Sequence, residues 1–307
     1  MRRAQSATRI VNALPRLRGE TVLYRASLVV LLVVLGFWMR SLATEGVRLR
    51  QLGPWPWSTT AVTLYFGDGT SFVPVSRRMT AGENVPRLAL EALLAGPRSS
   101  TGLATSVPPG VQIRSFEVAG DVVRVDVSRE WLTGDTKIAA MALVATMTAL
   151  SDVTAVTLSV EGQKLFDSVK RAPLLYYPSD RGLVATTTTA ADPRAALMRY
   201  LSQQPEEGPG GLPADVKIVT YEHAPNGLLL VTLSYTSSVR ALALEQPAHV
   251  RLALLGLIAS LTEFPDVRAV QLDFEGRTRL GLGECSDLLG TPQERPALLN
   301  DERLLAS

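Results

Sequence analysis

The sequence predicts an α+β protein in which an N-terminal single transmembrane helix is followed by two tandem two-layer α+β domains. Three observations predict this. An arginine-bracketed apolar run lies near the N-terminus, blocks of sequence recur about 110 residues apart, and the strands alternate so that only one sheet face is apolar. A chain of 307 residues with 46% hydrophobic content has material for two cores of about 100 residues each, the commonest domain size.

Residues 1–21 read as a basic cytoplasmic N-terminus, 22–43 as a transmembrane anchor and 44–58 as a linker. Between Arg25 and Arg40 lies an uncharged stretch of about 14 residues, short for a bilayer core of about 30 Å. Val22, Leu23 and Tyr24 before it and Leu42 and Ala43 after it extend the span, because arginines near helix ends snorkel to the headgroups. Tyr24 and Trp38 fall near the two interfaces. Six arginines precede Ser27 and three lie from Arg40 to Arg50, so the N-terminus is expected in the cytoplasm and the body outside the cell membrane. Ser41-Leu42-Ala43 also offers small residues for signal-peptide cleavage, so whether the helix is retained stays open. In the linker, Pro54-Trp55-Pro56-Trp57 reads as extended chain.

Nine arginines and two glutamates lie within the first fifty residues. Removing them from the totals of 31 basic and 29 acidic groups leaves an excess of five acidic groups in the body, which argues against nucleic-acid binding. Cys285 is the only cysteine; it excludes an intrachain disulfide and reads as a passive residue.

The repeat fixes the rest. Leu64-Tyr65-Phe66 and Phe72-Val73-Pro74-Val75 recur as Leu175-Tyr176-Tyr177 and Leu183-Val184-Ala185-Thr186. The hairpin from Val111 to Ser128 recurs from Val216 to Ser234, and Thr148 to Gly162 recurs from Thr262 to Gly276. Each copy reads as hairpin, helix, hairpin, helix, strand. In copy one, Ala61 to Phe66 and Phe72 to Val75 form a hairpin around Gly67-Asp68-Gly69, and Val85 to Ala95 form a helix stopped by Gly96-Pro97. Val123, Val125 and Val127 point to one side of the central hairpin, and Val156, Leu158 and Val160 repeat the alternation in the closing strand. The two helices of each copy must then cover that apolar face, leaving the other face to water or a partner.

The second helices, about Thr136 to Leu150 and Ala248 to Phe264, are apolar beyond one stripe. In the latter, Val250, Leu254, Leu257, Ile258 and Leu261 suit the sheet, whereas Leu252 and Leu255 point elsewhere. Contact with the sibling domain or another subunit, and burial under a local loop, are both open readings.

In these blocks the chain resembles the GerM domain of bacterial sporulation and spore-germination proteins and some actinobacterial lipoproteins. The matching residues are Leu64-Tyr65-Phe66 with Val73-Pro74-Val75, Leu90 to Pro97, Gly102-Leu103 leading to Val107-Pro108-Pro109-Gly110, Val123 to Ser128, and Val160-Glu161-Gly162. In copy two, Leu261-Thr262-Glu263-Phe264-Pro265-Asp266-Val267 matches closely. The resemblance covers 59–171 (GerM-like domain 1) and 173–290 (GerM-like domain 2), with 291–307 as a C-terminal tail. Copy two departs at its first helix, where Gln203-Gln204-Pro205 stands in place of Ala-Gly-Pro.

The resemblance implies an extracytoplasmic domain similar to the ring-building motif, used in oligomeric scaffolds and linked to cell-envelope remodelling during sporulation and germination. It brings no catalytic residues. Expected partners are the membrane through the N-terminal helix, other copies of the chain or other envelope proteins, with peptidoglycan as the alternative ligand and no nucleic acid. The chain departs from the lipoprotein members in having a helical anchor, which leaves its particular partner and pathway open.

The residues themselves offer little chemistry. His223 lies beside a hairpin turn and His249 near a helix start, neither with a metal-ligand neighbour at useful spacing. Glu161 and Glu275 occupy equivalent repeat positions, each before a glycine, and residues related by a repeat fall in separate domains. Asp68-Gly69-Thr70 reads as a turn, Gly281-Leu282-Gly283 lacks a third glycine, and the Gly208–Pro213 stretch is interrupted by proline. The expectation is a non-enzyme with no catalytic, cofactor-binding or metal-binding residues and no cofactor.

Overall fold

Valine and leucine alternation over short segments, punctuated by helices, builds three four-stranded sheets in the structure, a computed structural model that describes residues 59–67, 71–82, 84–202, 210–275 and 282–305. The transmembrane anchor, the linker and Asp68-Gly69-Thr70 lie outside the described residues. Among those described, no single helix is long and apolar enough to cross a membrane. The described residues form one compact unit.

Copy one opens with β1 (Thr59–Gly67) and β2 (Phe72–Thr80), followed by α1 (Val85–Ala95). Helix α1 has proline in its first turn and ends at Gly96, whose φ of 80° lies in the region glycine favours. Next come β3 (Ile113–Ala119), β4 (Val122–Val127), α2 (Thr136–Met147), β5 (Ala155–Val160) and β6 (Gln163–Val169). Asp135 caps α2 by accepting bonds from the Lys137 and Ile138 amides at 2.9 and 3.1 Å. Strand β4 pairs antiparallel with β3 and parallel with β5, and β5 pairs antiparallel with β6. The β4–β5 crossover runs through α2.

Copy two repeats this plan with β7 (Leu174–Ser179), β8 (Gly182–Thr187), α3 (Pro193–Ser202), β9 (Ile218–His223) and β10 (Leu228–Leu233). It adds a helix, α4 (Ser237–Glu245), where copy one has a 3₁₀ turn at Arg129–Thr133. Then α5 (Pro247–Leu261), β11 (Ala269–Phe274), β12 (Gln293–Glu294) and the short α6 (Glu302–Leu305) complete the chain. The order β9-β10-β11-β12 mirrors β3-β4-β5-β6.

The sequence pattern did not reveal the third sheet. The opening hairpins of both copies join as β1-β2-β8-β7, with Phe72 opposite Ala185 at the seam. Strand β7 therefore buries both faces: Leu174 and Tyr176 enter the core of copy one, while Leu175 and Tyr177 enter the core of copy two. The two copies share a sheet, where the sequence suggested separate two-layer units.

That sheet explains the apolar breadth of the second helices. Helix α2 lies along β1 and also packs on β5, and α5 lies along β7 and packs on β11. Leu252 packs against the core of copy one and Leu255 against its own, so sibling contact and local burial both occur, at different residues.

Candidate functional site

The helix-to-strand contacts of the two copies are equivalent and set up the junction between them. The Thr146 hydroxyl of α2 accepts the Tyr65 amide at 3.1 Å, and the Ser260 hydroxyl of α5 accepts the Tyr176 amide at 2.8 Å. Tyr65 and Tyr176 lie on the two outer strands of the shared sheet, whose outward amides would otherwise be buried without acceptors. With these strands fixed, the phenol oxygens of the two tyrosines meet at 2.7 Å.

An arginine from the end of each copy closes over this pair. Arg171 Nη1 donates to Tyr65 Oη and to the Ala145 carbonyl, both at 3.3 Å. Arg295 donates from Nη2 to Tyr176 Oη at 2.9 Å and from Nη1 to the Ala259 carbonyl at 3.3 Å. The guanidinium carbons sit 5.8 and 5.5 Å from the centroids of the Tyr65 and Tyr176 rings, within cation–π range.

One residue breaks the symmetry. Glu263, with a side chain only 1% exposed, receives Arg171 at 2.6 Å and Arg295 at 2.5 Å. It also accepts the Tyr176 hydroxyl at 2.7 Å; copy one has Ala149 at the corresponding place. Because Tyr176 spends its proton on Glu263, Tyr65 must donate to Tyr176, so the proton order of the cluster is fixed. Burial, with Glu263 and Tyr65 adding to it, raises the Tyr176 pKa well above the ordinary phenol value. Burial opposes the charge on both arginines, but Glu263 and the tyrosine oxygens more than offset it, so both pKa values rise. Both Glu263 oxygens are occupied by cations, which leaves no unengaged base in the cluster. Chemically it is a lock that closes only when both copies are in register.

The chain's end forms a second clamp. Asn300 Nδ2 donates to the Pro74 carbonyl at 2.7 Å and the Leu183 carbonyl at 2.8 Å, and its Oδ1 accepts the Leu183 amide at 2.8 Å. It thereby bridges β2 and β8 beyond the single seam pair. Glu302 follows, 2% exposed, paired to Arg77 at 2.5 Å and Arg98 at 3.3 Å.

Two further surface features involve copy one, the first of them bordering the junction at Ala145 and Arg171. A groove of about 240 Å³ is lined by apolar side chains of α2, β6 and the shared sheet, among them Met141, Val144, Phe166 and Val169. On the outer face of the β3–β6 sheet, a polar groove of about 410 Å³ holds Glu117, Arg124, Asp126, Lys164 and Asp167.

The residues singled out by sequence do not converge. His223 lies near the Asp266 carbonyl at 3.1 Å, and His249 near the Gly211 carbonyl at 3.2 Å. Glu161 pairs with Arg114 at 3.1 Å, and Glu275 follows β11 in a different sheet. Cys285 is buried, and burial raises its pKa. Among the described residues, no group of three His, Cys, Asp or Glu side chains is arranged to hold a metal ion. Sequence reading missed the Tyr65, Tyr176, Arg171, Glu263 and Arg295 cluster as a unit. Its one legible signal was the tyrosine at the same place in both opening strands.

The comparisons with known proteins agree with this architecture. The tandem GerMN domains of the sporulation protein GerM from Bacillus subtilis superpose with a TM-score of 0.60 at 18% identity, covering 80% of this chain and 99% of that one. The first GerMN domain of the same protein, taken alone, gives a TM-score of 0.30 at 18% identity, over 37% of this chain and 98% of that one. At such identity the tandem match is a likeness of fold. Among curated proteins, none matches the sequence. The family model Germane, described as sporulation and spore germination, matches residues 63–166 and again 174–280, and the chain therefore belongs to that family.

Proposed function

We propose that this protein is a non-catalytic assembly scaffold of sporulation or spore germination, held at the outer face of the cell membrane by its N-terminal helix and linked to envelope remodelling. The observation that supports this most is the junction. Its buried acid, both arginines and both tyrosine hydroxyls are consumed in holding two repeats as one body, which suits a rigid platform for other proteins. Crosslinking in native membranes, followed by partner identification, tests it. Recovery of the chain in complexes with itself or with other envelope proteins is expected. A chain that stays monomeric at high concentration and captures nothing overturns it.

A second reading, binding of peptidoglycan, draws on the polar groove of the β3–β6 sheet, whose Glu117, Arg124 and Asp167 face solvent. The groove has no aromatic platform for a sugar ring, so this reading ranks second. Co-sedimentation of the protein with isolated peptidoglycan tests it, and a protein left wholly in the supernatant removes it.

A further inference from the structure

The two copies treat the same helix face differently. In copy two, Leu254 and Ile258 of α5 are fully buried, in one cluster with Leu282, Cys285, Leu288 and Leu289. Those four come from a segment between β11 and β12 that has no counterpart in copy one, where β5 turns directly into β6. The segment's 3₁₀ turn, Gly283–Cys285, packs on α5. Arg251 pins it, donating to both Asp287 oxygens at 2.7 Å and to the Glu284 carbonyl at 2.8 Å.

In copy one the corresponding helix residues are Ala140 and Val144, and they line the open apolar groove with Met141, Phe166, Val169 and Leu174. Lys137 stands where Arg251 stands in copy two, one turn before Met141. Lys170 lines the groove and Lys137 is exposed at the preceding turn of α2; among the described residues neither forms a salt bridge, Lys170 acting only through its charge on Asp121. The groove's 240 Å³ is below the roughly 300–1,000 Å³ of small-molecule pockets, so it suits a few side chains better than a whole ligand. Pairing along the adjacent edge is disfavoured, because β6 carries a register shift against β5 and Ser168 has a φ of 49°.

We infer that the α2–β6 groove of copy one docks a short segment of a partner protein bearing adjacent leucines and a carboxylate, which occupies it as Leu282–Leu289 occupies its counterpart in copy two. This rests on the assembly reading and gives that reading a place and a chemistry. The leucines fill the space over Ala140 and Val144, and the carboxylate pairs with Lys137 as Asp287 pairs with Arg251.

The test uses the full-length protein in mild detergent and, as probe, a fluorescent peptide with the sequence of residues 282–290, read by anisotropy. Saturable binding is expected, weakened at least tenfold by Val169→Glu and more modestly, with loss of salt dependence, by Lys137→Glu. A peptide with serine in place of its two adjacent leucines is expected not to bind. Circular dichroism melting confirms that each variant is folded. No saturable binding of the original peptide, or equal binding to a folded Val169→Glu variant, overturns the groove. Crosslinked partners in native membranes that persist undiminished with Val169→Glu also overturn it while leaving the assembly reading intact. Peptide binding with no partner captured from membranes supports the groove and counts against that reading.

Discussion

Tyr65 and Tyr176 occupy the same position in the two repeats, and the Tyr65 hydroxyl donates to that of Tyr176 across a 2.7 Å contact, Tyr176 in turn donating to Glu263. The contact ties the outermost strands of a sheet to which each repeat contributes half. The two hydroxyls are not equal. Tyr176 serves Tyr65, Glu263 and Arg295, whereas Tyr65 serves only Tyr176 and Arg171. Tyr176→Phe is therefore expected to destabilise more than Tyr65→Phe, roughly 1.5–3 kcal/mol against 0.5–1.5, because hydrogen bonds to charged groups are the stronger ones. Urea unfolding checks this, and equal losses would mean that Glu263 is not anchored through Tyr176.

Glu263 is the only anion facing two arginines in the junction cluster. Glu263→Ala leaves Arg171 and Arg295 close together without their counterion, and a loss of roughly 3–5 kcal/mol is expected. Replacing all three ionic groups with apolar residues of similar length removes both the attraction and the desolvation cost. The triple variant Arg171→Met, Glu263→Met, Arg295→Met is therefore expected to be more stable than Glu263→Ala alone. Thermal melts of the two proteins decide the point; a triple variant less stable than the single would make the cluster a net source of stability.

Helix α5 approaches β7 so closely at Gly256 that an added Cβ would lie 2.2 Å from the Tyr176 carbonyl oxygen. Copy one carries Ala142 at that place, fully buried on α2, so the two helices do not sit equally close to their strands. Gly256→Ala is expected to cost roughly 1–3 kcal/mol through overpacking, despite alanine's better helix propensity. A stabilised Gly256→Ala variant in denaturant unfolding would show that α5 can move off β7 freely.

These three cases mark what the sequence revealed and what it did not. The α1 helix, the alternation of Val123, Val125 and Val127, and the recurrence of Thr148 to Gly162 are local signals, and the elements they predicted are present. The shared sheet is a non-local fact. Leu64-Tyr65-Phe66 and Leu174 to Tyr177 are apolar on both faces, a pattern that announces burial without naming the neighbour. Arg171 and Arg295 sit at strand ends where arginine is ordinary, and only the fold brings them to one glutamate. The Leu282–Leu289 segment carries no periodicity at all, so its role over α5 could not be read before the helix had a place.

The clamp at the chain's end predicts a dependence on acid. Burial raises the Glu302 pKa, but the Arg77 hydrogen bond and the charges of Arg77 and Arg98 outweigh it, leaving the group below its ordinary value of 4.5. A depressed carboxylate pKa in the folded state contributes stability that is fully present above the unfolded value and is lost as pH falls through the folded one. Docking of 299–305 against β2 is therefore expected to be constant from neutral pH to about pH 5 and to weaken below about 4.5. Limited proteolysis from the C-terminus across this range reads it directly, with cleavage accelerating only on the acid side. Glu302→Gln is expected to release the segment at every pH, since the two arginines then lose their counterion, and to flatten the acid-dependent part of the profile. A variant whose cleavage still rises below pH 4.5 as steeply as the parent's would place the titrating group elsewhere.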